Sequence, residues 1–192
     1  MSREYFMHAR CLAQKGRWPL VTVLILLLVL SGSAFSQDVA TGQALATVLA
    51  SLAVTAVQPL DFGQVYQGVA KIQDQTNDAL SGIFGITGES SAVISIYLVL
   101  PQYIALADGS DRMTIAFRTT DCTVDTMNLT PSTVGAGDGW VDVDPNNLPN
   151  NLVVGSGGQT NLYLGGRVIP SVDQAAGNYA GDIICNAAYT GT

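Results

Sequence analysis

Histidine is all but missing from this 192-residue chain; the single one is His8. Past that point no imidazole is available for a Ser-His or Cys-His nucleophile pair. Zinc ligation is as poorly served, because the cysteines stand far apart at Cys11, Cys122 and Cys185. Glutamate is scarce too, with Glu4 and Glu89 the only examples. A pair of opposed carboxylates must therefore come from aspartates. Asp142 and Asp144, two apart on a turn or short strand, read as solvated surface charge, and sequence cannot set the separation that glycoside hydrolysis needs. The inventory points away from an enzyme, and it calls for no cofactor and no metal.

Positive charge is also thin. Eight Lys and Arg face fifteen Asp and Glu, and four of the eight (Arg3, Arg10, Lys15 and Arg17) precede an apolar run at 20–30. Small residues Ser31, Gly32, Ser33 and Ala34 follow. This order is that of a secretory signal peptide, expected over 1–36, with a cut after Ser36 or after Ala34. The apolar core is about 11 residues, against roughly 20 for a spanning helix. A retained anchor helix is the other reading. Cys11 lies ahead of the run, so it is not the lipidated cysteine that follows one. Beyond residue 36 only Lys71, Arg112, Arg118 and Arg167 remain against fourteen acids, a net −10. Such a surface excludes nucleic acid and anionic lipid as partners, since both are bound by clustered Lys and Arg. Membrane contact is expected only during export, and the location extracellular, at the cell surface or in the periplasm of a bacterium.

What is plentiful is glycine, with Val, Ile, Leu, Thr and Tyr between. Residues 37–47 form an N-terminal arm and 48–192 are long enough for one domain with its own core. Segment 44–57 suits a helix by its alanines and leucines, and a strand by Val48, Leu52, Val54 and Val57; Pro59 ends it and favours the strand. Further strand candidates lie at 82–87, 92–100, 113–117, 122–129, 152–154, 161–164, 167–169 and 179–189. Met113, Ile115 and Phe117 share one face, and Ile183, Cys185, Ala187 and Tyr189 another. Turn chemistry fills the gaps at 107–111, 135–139, 144–147 and 155–158. The pattern predicts an all-β chain: an immunoglobulin-like β-sandwich of roughly eight or nine short strands after an N-terminal signal helix. Two cysteines survive export, and an even number in an oxidising compartment reads as a disulfide, Cys122–Cys185, around about 62 residues. Loop entropy alone gives such a bridge about 4 kcal/mol. Two unpaired buried thiols are the alternative.

Other motifs are weaker. Asp142, Asp144, Asn146 and Asn147 begin like a calcium loop but lack its sixth-position glycine and twelfth-position glutamate. Asp108 to Asp111 is a second oxygen-rich turn, and Asx turns account for both. Trp140 suits packing or stacking on a sugar. Asn128 opens a glycosylation sequon that is incidental in a bacterial chain.

Three stretches together resemble one family. Residues 52–63, L-A-V-T-A-V-Q-P-L-D-F-G, resemble the first strand and L-D-F-G turn of domain of unknown function 4402. Residues 88–101 and 113–117 are similar to its central glycine, apolar strand with proline, and following strand. Residues 158–166 and 177–181 with Tyr189 resemble its closing G-G, G-x-Y-x-G and Tyr. Cys122 and Cys185 lie outside that pattern. The resemblance implies a secreted immunoglobulin-like sandwich akin to pilus subunits and spore-coat-like surface proteins, with no catalytic residues. The function it implies is a pilin-like subunit of a surface fibre or coat. Its partners would be copies of itself or related subunits, joined by strand addition, and a periplasmic chaperone. A self-contained adhesin or periplasmic module recognising a glycan or protein is the alternative.

Overall fold

The computed structural model describes residues 40–127, 130–134 and 139–190. The expected signal segment 1–36 and the Asn128 sequon fall outside these. The chain divides into two compact units, Met1–Ala46 and Thr47–Thr192. Of the first, residues 40–46 are described and have neither helix nor strand.

The second unit is all-β, with no α-helix among the described residues. Its thirteen strands are β1 (Ala53–Gln58), β2 (Lys71–Gln73), β3 (Gly82–Thr87), β4 (Val93–Val99), β5 (Tyr103–Leu106), β6 (Arg112–Ala116), β7 (Cys122–Asp125), β8 (Gly139–Val143), β9 (Leu152–Val153), β10 (Gln159–Leu164), β11 (Gly166–Ile169), β12 (Tyr179–Ala180) and β13 (Ile184–Tyr189). They form three antiparallel sheets, ordered β1-β3-β10-β7-β8, β12-β5-β6-β11-β2 and β13-β4-β9. The first and third sheets enclose one apolar core, an arrangement consistent with a β-sandwich. Phe84 and Ile86 of β3, Ile94 and Ile96 of β4, Cys122 and Val124 of β7, and Leu162 and Leu164 of β10 fill it. Each fully buried aliphatic side chain stabilises the fold by about 1.5–3 kcal/mol. A smaller core of Phe62, Met113, Ile115 and Val168 lies on the second sheet.

Thirteen strands stand among the described residues where eight or nine were expected, because β2, β5 and β8 lie in stretches not read as strands and one long run breaks in two. The chain leaves the first sheet for the second at Gly165, between β10 and β11. A Cβ there would stand 2.5 Å from the Gln73 carbonyl oxygen, so only glycine lets the backbones meet. The run at 179–189 likewise breaks into β12 and β13, on different sheets. Segment 44–57 is a strand only from Ala53 onward. Ahead of that, 44–52 is without regular structure, and its helix alternative is not taken.

Candidate functional site

Alternation along β4 and β13 sets up the site. Ile94 and Ile96 of β4 point into the main core and are buried, whereas Tyr97 and Val99 face outward. On β13, Cys185, Ala187 and Tyr189, with Ile183 just before it, turn toward the same core. These four remain only half-buried. The cause is position: β13 is the end of its sheet, and β4 is its only ladder partner among the described residues. β1 approaches β13 without pairing to it. Such an edge presents unpaired backbone N–H and C=O groups.

The Tyr189 hydroxyl fastens this edge to the root of the arm. It donates to the Ala50 carbonyl at 2.8 Å and accepts from the Glu89 N–H at 2.7 Å. The Glu89 carboxylate in turn accepts from the Ala50 N–H at 3.2 Å. Before Ala50 the chain is exposed: Leu45 is 89% and Val48 94% accessible.

From Ile183 an open groove of about 1100 Å³ continues over the second sheet. Phe62, Met113, Ile115 and Val168 contribute an apolar floor. Segments 59–67 and 174–181 line it as well. A polar clasp holds the second of these. The Asp111 carboxylate accepts from Gln174 Nε2 at 2.7 Å, the Tyr179 hydroxyl at 2.7 Å and the Ala175 N–H at 2.8 Å. Gln67 Nε2 donates to the Gln174 carbonyl at 2.6 Å, joining the two walls.

The Ala175 N–H, then the Tyr179 hydroxyl, hold the Asp111 carboxyl below its ordinary value of 3.8. A depressed carboxyl binds its proton more weakly folded than unfolded. The clasp is therefore fully present above about pH 4, and weakens as pH falls through the folded value. The Ala175 amide resonance is expected to titrate with a midpoint below 3.8, while Asp111→Asn leaves it flat. A midpoint at or above the ordinary value would show that these bonds do not persist in solution.

The structure brings Cys122 and Cys185 into one core from facing sheets, both as free thiols with no S–S bond. Burial pushes the Cys185 thiol up to about 11. Burial first, and Cys185 beside it second, raise that of Cys122 further. Asp142 and Asp144 do not converge. Asp142 accepts from Gln75 Nε2 at 2.9 Å, and Asp144 caps its own turn through the Asn146 N–H at 2.9 Å. Asp108 does the same through the Ser110 N–H at 3.0 Å. Among the described residues no three His, Cys, Asp or Glu side chains gather as metal ligands would. Trp140 lies opposite Val124 on β8, partly exposed. The Asp111 clasp escaped the sequence because Tyr179 is 68 residues away.

Comparison of the chain with protein-family models, curated proteins and solved structures finds no match.

Proposed function

We propose that this chain is an exported, non-catalytic structural subunit of a bacterial surface fibre or coat, joined to its copies by strand addition. The half-buried inward row on β13, whose outer edge has no ladder partner among the described residues, carries the reading. In an immunoglobulin-like sandwich one sheet runs A-B-E-D and the other C-F-G. We assign β1, β3, β10 and β7 to the first four positions, and β4 and β13 to C and F. A strand in the G position beside β13 can be supplied by another chain. Adding one would pair the free backbone groups and cover Cys185, Ala187 and Tyr189 together.

The donor we assign is the arm, residues 37–47. It carries no charge after Asp38, and its 11 residues extend to about 36–40 Å. β13 needs about 20 Å of partner. A periplasmic chaperone would protect the same edge before assembly. The resemblance to domain of unknown function 4402, with its pilus-like and coat-like members, agrees with this role, with export, and with a cell-surface or periplasmic location.

The groove beside Ile183 supports a second reading, a self-contained adhesin or periplasmic module. Deleting 37–47 separates the two. Under strand addition the truncated subunit accepts an arm but donates none, and a synthetic arm peptide raises its melting temperature. At about 100 times Kd the linkage is about 2.7 kcal/mol, which for a domain of this size is roughly 5–10 °C. A stable truncated monomer indifferent to the peptide would overturn strand addition and leave the binding module.

A further inference from the structure

We infer that Cys122 and Cys185 become a crosslink between the first and third sheets, closed while the chain folds and shielded from thiols at Cys122 afterwards. Three observations meet here. Cys122 sits on β7, between β10 and β8, and has no accessible surface. Cys185 sits on β13 of the other sheet, half-buried against the same cluster of core side chains. Cys122 is one of the buried side chains of the main core, and Cys185 packs against that core from the facing sheet. A pair so placed can be joined without crossing any other layer of the fold. The burial that places it there also bars a reagent from Cys122 once the sheets have packed.

The step is an exchange. One thiolate attacks a small-molecule disulfide such as glutathione disulfide, forming a mixed disulfide and releasing one glutathione. The second thiolate attacks the mixed disulfide at the protein sulfur and releases the other. The protein gives up two electrons and two protons, and glutathione disulfide takes them up as two thiols. The reacting species is the thiolate, and in the folded core burial disfavours the thiolate of both cysteines. Exchange therefore belongs to the open chain.

The bond has a structural consequence. A disulfide holds its two Cα atoms within about 7 Å. The oxidised form thus fixes β13, the strand with the unpaired edge, to β7 at the level of Cys185. An added strand then meets an edge already anchored to the opposite sheet. The oxidising compartment belongs to the export reading above, but the pairing itself does not depend on it.

The full chain is refolded from denaturant and reductant in a glutathione redox buffer, then alkylated in denaturant and weighed. A mass lower by two hydrogen atoms with a single alkyl group added, on Cys11, and a linked Cys122–Cys185 peptide, are expected. Treated next with dithiothreitol, the native protein should lose the bond at least roughly 100-fold more slowly than the denatured protein, because reduction waits on opening of the core. Three alkylated thiols after refolding, Cys122 and Cys185 among them, would overturn the crosslink. Equal reduction rates in native and denatured protein would overturn its shielding. The same weighing of protein secreted by a bacterium bears on export alone: free thiols there, with a linked refolded chain, would sink the export reading and leave the pair intact.

Discussion

Leu162→Asp is expected to leave no folded protein. Leu162 has no accessible surface and stands in the middle of β10, opposite Phe84 on one side and Val124 on the other. All three belong to the main core, so an aspartate there meets only apolar side chains. An unpaired carboxylate in such a place costs several kcal/mol even after it protonates. A domain of this kind has about 5–15 kcal/mol in total. Leu162→Ala, which only empties space, should cost about 2–5 kcal/mol. Ile183→Asp, on a half-buried side chain, should fall between the two extremes. Ile184→Asp should sit within about 0.5 kcal/mol of the parent, as surface substitutions do, since Ile184 points outward and is 51% accessible. Urea denaturation followed by circular dichroism ranks the four variants. Equal damage from Ile183→Asp and Ile184→Asp would mean that β13 is covered on both faces or turned by one residue.

The second large effect comes from one glycine of a turn that has three. Gly155 accepts no side chain: a Cβ there would lie 2.0 Å from the Thr126 carbonyl oxygen and 2.5 Å from that of Gln159. Both neighbours are backbone and cannot swing aside. Gly155 also closes its own turn, its N–H donating to the Gln159 carbonyl at 3.0 Å. Gly155→Ala is therefore expected to cost about 3 kcal/mol, at the upper end of what overpacking a tight site costs. Gly157, two residues on, meets nothing within 4 Å. Gly157→Ala should be neutral or slightly stabilising, because it removes freedom from the unfolded chain. Thermal unfolding of the two variants side by side is the check. Similar melting temperatures would show that the backbones around Gly155 do not approach this closely.

Much of the strand pattern was legible because it rests on alternation. Met113, Ile115, Cys185 and Tyr189 face inward as their spacing implies, and Pro101 does end β4. The strands that went unread are short, polar or both. β2 is three residues, Lys-Ile-Gln, with Ile72 facing outward, so no apolar rhythm marks it. β8 contains Asp142 at a positive φ of 54°, and its Gly and Asp content resembles a turn. β5 follows Pro101 too closely to stand apart from β4. The site was less visible than the fold. Cys122 and Cys185 declared themselves by their number. The groove depends on Phe62 packing with Tyr179, and its clasp on Asp111 meeting Tyr179, matters of tertiary arrangement that no local spacing encodes.

The bond from Tyr189 to Ala50 has a mechanical side. Were the arm to donate a strand as proposed, tension through it would reach Ala50, where the hydroxyl and the Glu89 carboxylate grip the chain. Behind that grip lies the β1–β3 ladder, from Ala53 opposite Thr87 to Gln58 opposite Ile83. A pull along the axis of β1 loads those rungs in shear, so they resist together instead of opening one after another. Tyr189 also belongs to β13, and part of the load passes through its ring into the last strand of the other sheet. A thread of such units would carry strain across both layers of each one, with a single tyrosine at the point of transfer.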